Sequence, residues 1–105
     1  MKKYTLSIGL FDKDTKKQEI TTEDAMRIAS DACLVLGGAT IVPNCIGVYT
    51  HDDGTKIVEP SMQIIIYGAE AADVKKLAKK LAALFNQESI AYEETEIVSE
   101  FITAE

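Results

Sequence analysis

Along this chain the hydrophobic residues recur first every second position, then with helical spacing, then every second position again, and the changes of period outline six elements. Tyr4, Leu6, Ile8 and Leu10 alternate with Thr5, Ser7 and Gly9, the pattern of a strand with one large apolar face and one face of small residues. Phe11–Ile20 is a charged loop, longer than a strand-to-helix connection usually needs, and loops of that kind often carry function. Thr21-Thr22-Glu23-Asp24 supplies helix-start chemistry, a hydroxyl to accept from a free amide and acids at the positive helix end. A helix to about Leu36 follows, with Ala25, Ile28, Ala29, Ala32 and Leu36 as its inward stripe and Gly37-Gly38 as its stop.

Ala39–His51 and Lys56–Tyr67 are two runs rich in β-branched and aromatic residues around Asp53-Gly54, a strong signal for a hairpin. Pro43 places the first arm at a sheet edge or at a bulge, and Glu59-Pro60-Ser61 is expected to break the return arm. From Ala69 to Gln87, Val74, Leu77, Ala78, Leu81, Leu84 and Phe85 keep helical intervals with lysines opposite. Ile90–Val98 reads as a last strand that turns acidic along its length, and glutamates on an edge strand discourage unwanted pairing.

The order strand, helix, strand, strand, helix, strand is the split βαβ arrangement. The expected fold is therefore α+β, ferredoxin-like βαββαβ, a four-stranded antiparallel sheet with two helices on one face, in a single domain over residues 1–105. The first and third strands should be central, leaving Thr5, Ser7, Gly9, Tyr49, Gln63, Ile65 and Tyr67 on the open face.

Composition narrows the function classes. Eleven basic against seventeen acidic residues give a formal charge of -6, and Lys75, Lys76, Lys79 and Lys80 form a solvated helix face, which argues against general nucleic-acid binding. No apolar run approaches the roughly 20 residues of a membrane span and no signal peptide is seen, so a cytoplasmic protein is expected. Cys33 and Cys45 lack partners at metal-ligand spacing and read as reduced thiols. Asp12 and Asp14 lack the further acidic positions and the glycine of a calcium loop. His51 sits at the hairpin tip rather than beside a nucleophile, and Gly37-Gly38 ends a helix where a phosphate loop would open one. No cofactor is indicated. Glu59 and Glu88 remain as a carboxylate pair for acid–base work.

Several of these residues also carry a resemblance. Ile8-Gly9-Leu10, Gly47-Val48-Tyr49, Asp53-Gly54, Glu59-Pro60-Ser61 and Phe85-Asn86-Gln87-Glu88-Ser89-Ile90 resemble a family of short, uncharacterised bacterial and phage proteins, and Asp12-Lys13-Asp14-Thr15-Lys16 is similar to the variant found in gut phages and prophages. The resemblance implies a phage or prophage context and interference with a host system. The resulting expectation is a non-catalytic, oligomeric binding protein, self-associating through its open sheet face or an edge strand, that counteracts host defence by sequestering a small nucleotide-like signalling molecule. Tyr49, Tyr67 and Tyr92 would stack on a flat ring, Arg27 or a lysine would meet a phosphate, and Glu59, Ser61, Gln87, Glu88 and Ser89 would supply polar contacts. The alternatives are an acidic protein that masks a host protein and a small acid–base enzyme using Glu59 and Glu88.

Overall fold

The large apolar face of the first strand is what the helices close over. The computed structural model describes residues 1–104. In it β1 (Lys2–Gly9), α1 (Thr22–Cys33), β2 (Thr40–Thr50), β3 (Lys56–Tyr67), α2 (Ala71–Leu84) and β4 (Ala91–Glu96) follow one another, with a short 3-10 turn at Leu34–Leu36 after α1. The strands form one antiparallel sheet in the order β2-β3-β1-β4, the expected ferredoxin-like arrangement with β1 and β3 inside.

Tyr4, Leu6 and Ile8 of β1 and Met62, Ile64 and Ile66 of β3 are fully buried against Ala25, Ala29 and Ala32 of α1 and Val74, Leu77 and Leu81 of α2. The buried stripe of α1 is made of small residues and that of α2 of branched ones, and both pack on the same sheet face. Thr21 caps α1 by accepting from the Asp24 amide at 3.1 Å, and Gly37, at φ 83°, turns the chain out of its last turn. The approach to α2 is pinned by the Tyr4 hydroxyl, which donates to the Ala69 carbonyl at 2.7 Å.

Local features of the strands both meet and depart from the sequence reading. β3 is unbroken through Glu59-Pro60-Ser61. Pro60 turns its carbonyl towards β1, where it accepts from Leu10 N at 2.9 Å; the one bond its donorless nitrogen forfeits is the return bond to Leu10, just past the end of β1, so the strand is not interrupted. The irregularity falls on β2, as Pro43 predicts: β2 is an edge strand, its register shifts between Val42 and Cys45, and Asn44 takes φ 60°. The β4 glutamates do more than guard an edge: Lys2 Nζ meets Glu94 at 2.6 Å and the terminal amine meets Glu96 at 2.8 Å, tying β4 to β1.

The hairpin outruns the helices. Ile46, Val48 and Val58 share the pleat side of the buried Met62 and Ile64, yet they are 60–71% exposed because neither helix reaches them. Among the described residues, no helix is long and apolar enough to cross a membrane.

Candidate functional site

Where β1 ends at Gly9, the chain leaves the sheet and the β2–β3 hairpin continues past it. The space between them is a cleft of about 690 Å³, walled by the end of β1, the loop after it, the hairpin and the segment from Gln87 to Ala91. Of the residues singled out from sequence, Tyr49, Glu59, Ser61, Gln87, Glu88 and Ser89 all line it.

Glu59 is the one buried charged side chain among the described residues, 5% exposed. It stands opposite Gly47 on β2, and its carboxylate reaches across Gly9 of β1. Oε2 accepts from the Phe11 amide at 3.0 Å. Oε1 has no hydrogen-bond partner among the described residues, and no fully enclosed side-chain oxygen there lacks one, so Oε1 opens on the cleft. The result is a carboxylate held by one oxygen and free at the other.

Tyr49 lies on the same side of the hairpin, two positions along from Gly47. Burial, and then the negative charges of Glu59 and Glu88, push its phenol above the ordinary value of 10, so it stays protonated at neutral pH. The His51 ring packs edge-on against the Tyr49 ring at 5.2 Å. Tyr49 and the two glutamates belong to one electrostatic neighbourhood, although they stand far apart in the linear sequence.

The loop after β1 is a folded wall rather than a loose tether. Asp12 Oδ1 accepts from the amides of Asp14 and Thr15 at 2.8 and 3.1 Å, and Lys16, at φ 63°, returns its amide to the Asp12 carbonyl at 2.9 Å. The Asn86 side chain, which donates to Asp14 Oδ2 at 2.8 Å, together with the Thr15 and Asp14 amides holds the Asp12 carboxyl below its ordinary value. Two further bonds tie the loop to the end of α2: Lys13 N donates to the Asn86 carbonyl at 3.0 Å and Gln87 Nε2 donates to the Phe11 carbonyl at 2.7 Å.

Three residues expected at the site lie elsewhere. Arg27 is on the exposed side of α1, paired with Asp24 at 2.6 Å. Tyr67 is at the far end of β3 opposite Lys3, half exposed. Tyr92 faces the helix side, where its ring packs against Tyr4 at 6.0 Å under the Lys75 ammonium, and burial and the hydrogen bond to Glu94 push its phenol up to about 12. Conversely, Gly9, Phe11, Lys13, Lys16 and Lys56 line the cleft without having been picked out individually. For Phe11, Lys13 and Lys16 the signal was the length of the loop after β1, and for Gly9 it was its place on the small-residue face of the first strand. Lys13, Lys16 and Lys56 have no ion-pair partner among the described residues, and they line the cleft together with the acidic Asp12, Glu59 and Glu88.

No protein-family model and no curated protein matches the chain. Solved structures do. A phage SAM lyase in complex with S-methyl-5'-thioadenosine is 30% identical, with a TM-score of 0.70, over 90% of this chain and 80% of that one. A phage SAM lyase in the apo state is 26% identical, with a TM-score of 0.66, over 97% and 92%. The divalent cation tolerance protein CutA1 from Thermus thermophilus is 14% identical with a TM-score of 0.66, over 96% and 88%, a likeness of fold alone. The lyases correct the expectation of a protein without catalysis, since these proteins, which the chain resembles in both sequence and fold, are enzymes. With 30% identity across 80% of the thioadenosine-bound lyase, the chain belongs to the phage SAM lyase family.

Proposed function

We propose that this protein is an enzyme that binds S-adenosylmethionine in the cleft around Glu59 and cleaves it to S-methyl-5'-thioadenosine. The observation that carries this reading is the half-anchored, buried Glu59 carboxylate in a cleft of a chain that is 30% identical to the lyase bound to that thioether.

The charge pattern suits the substrate. S-adenosylmethionine carries a sulfonium and an ammonium, both cationic, and one carboxylate. Glu59 and Glu88 offer negative charge to the first two, and Lys13, Lys16 and Lys56 at the rim offer positive charge to the third. The half-exposed ring of Tyr49 presents a flat surface for the adenine.

A lyase breaks a carbon–sulfur bond without adding water. The route that asks least of the protein is internal: a substrate carboxylate oxygen attacks the γ carbon, the carbon–sulfur bond breaks, and its electron pair leaves on sulfur as the neutral thioether. The other product is a five-membered lactone, and no proton need be removed. Holding the amino-acid chain in the ring-closing conformer is then the main catalytic contribution, one that positioning alone can make large. Within a phage context, host interference would follow from consuming a methyl donor rather than from storing a signalling nucleotide.

The enzyme also works as a homo-oligomer in this reading. Ile46, Val48 and Val58 on the hairpin overhang are exposed apolar side chains, a patch that a second copy would cover, and Val98, Phe101 and Ile102 in the tail are exposed at the other end of the sheet. The test of activity is direct: incubation of purified protein with S-adenosylmethionine, with the thioether followed by liquid chromatography. Product should accumulate faster than in a protein-free control and the Glu59→Gln variant should lose most of that excess. Equal rates with and without protein would refute the assignment.

A further inference from the structure

We propose that Gly9 and Gln87 are positioning residues for the Glu59 carboxylate, Gly9 by leaving the space it occupies and Gln87 by fixing the peptide that holds it; this role rests on the catalytic reading above. Two independent pieces of geometry carry the inference. A Cβ placed on Gly9 would lie 1.9 Å from Glu59 Oε1 and 2.5 Å from its carboxyl carbon, far inside contact distance. The carboxylate can lie where it does only because residue 9 has no Cβ, and a Cβ there would push the end of the Glu59 side chain aside; the Gly9 backbone is ordinary strand. Gly47, directly opposite Glu59 on the other side, is different, because a Cβ there would meet nothing closer than 3.7 Å.

The second piece is a chain of hydrogen bonds through Phe11. Its amide donates to Glu59 Oε2 at 3.0 Å, and its carbonyl accepts from Gln87 Nε2 at 2.7 Å. Both polar groups of one residue are thus committed, one to the carboxylate and one to the end of α2. Leu10, just before it, is fixed by donating to the Pro60 carbonyl at 2.9 Å. Glu59 is held from its own strand by Pro60 and from across the cleft by Gln87, and the only oxygen left free is Oε1. Gln87 Nε2, directed at the Phe11 carbonyl at 2.7 Å and the Phe85 carbonyl at 3.4 Å, acts on the site through Phe11 and Glu59.

The experiment has one readout that needs no turnover and one that does. In proton–nitrogen correlation spectra, the Phe11 amide should shift upfield and exchange faster in Gly9→Ala and in Gln87→Met, and Gly47→Ala should leave it in place. In the thioether assay, Gly9→Ala and Gln87→Met should lower kcat by roughly 10- to 100-fold, the scale of a small misplacement of a reacting group, with KM nearly unchanged. Gln87→Met keeps side-chain length and lies in the half-buried segment just after α2, outside the apolar core, so it reports even if Gly9→Ala fails to fold. An unmoved Phe11 amide in Gln87→Met overturns the clamp whatever the activity. A moved amide with unchanged kcat overturns the positioning role while leaving the catalytic reading intact. If the amide moves as expected but the wild-type protein releases no thioether, the catalytic reading falls and the role falls with it.

Discussion

Shortening Glu59 by one methylene separates the place of its charge from the charge itself. Glu59 Oε2 reaches Phe11 N at 3.0 Å. A carbon–carbon bond of about 1.5 Å withdrawn from the side chain pulls the carboxylate back by roughly 1.3 Å, so in Glu59→Asp the gap opens to about 4 Å, beyond hydrogen-bond range. Losing a hydrogen bond to a charged group costs about 1.5–3 kcal/mol. Phe11 is only half-buried, so water recovers part of the loss and the lower figure applies. For a domain of this size, about 1.5 kcal/mol corresponds to a fall in Tm of roughly 6 °C. The same withdrawal should cost about 100-fold in kcat, because Oε1 retreats with its partner oxygen. Glu59→Gln keeps the length and a carbonyl acceptor for Phe11, so its Tm should stay closer to wild type while turnover is lost. Thermal melts and the thioether assay on the three proteins decide the matter. An Asp variant with wild-type kcat and an unshifted Tm would refute the argument, since it would show that neither the anchor nor the reach of this carboxylate matters.

Other outcomes follow from the same geometry. Tyr4→Phe removes the donor to the Ala69 carbonyl and should cost about 1 kcal/mol in urea denaturation with an unchanged m-value, because a half-buried carbonyl is left for water to satisfy. The carboxyls of Glu94 and Glu96 are held below their ordinary value of 4.5, Glu94 by hydrogen bonds from Lys2 and Tyr92 and Glu96 by the terminal amine; their contribution is therefore complete above that value and lost as pH falls through the depressed folded values. Tm measured on acidification should drop less steeply in Glu94→Gln. At the other extreme, Tyr92 is pushed from 10 to about 12, so its contribution is complete below 10 and disappears as pH rises through 12, and an alkaline spectrophotometric titration should show an ionisation near 12 that Tyr92→Phe removes. Val48→Lys places a charge on the exposed hairpin overhang and should shift the mass seen by light scattering towards the monomer; a wild-type protein that is monomeric at every concentration would sink the oligomer proposal.

How much of this was legible in advance depends on the range of the interactions involved. Alternation in Tyr4–Leu10, the helical stripe Val74–Leu81 and the Asp53-Gly54 turn are local patterns set by pleat, helical pitch and backbone freedom, and they specified the elements, the strand order and the buried face. Glu59, Gln87 and Glu88 stood out as polar residues interrupting apolar elements, and the structure brings them into one cleft. Pro60 was misread because whether a missing amide matters depends on which neighbour it faces, and that neighbour, Leu10, lies on a different strand far back in the chain. Tyr92 and Arg27 were chosen for what their side chains can do, but the side of the sheet and the presence of Asp24 decided what they do.

By itself, then, the sequence determined which residues form strands and helices and which stripe of each is apolar, because those follow from the period of the backbone. Only the tertiary structure decided that Gly9 yields its space to Glu59, that Phe11 holds one carboxylate oxygen while Gln87 holds Phe11, and that the loop lysines line one cleft with Glu59 and Glu88. Those relations join positions 9, 11, 59 and 87, and their physical basis is close packing and hydrogen bonding between segments that no local pattern brings together.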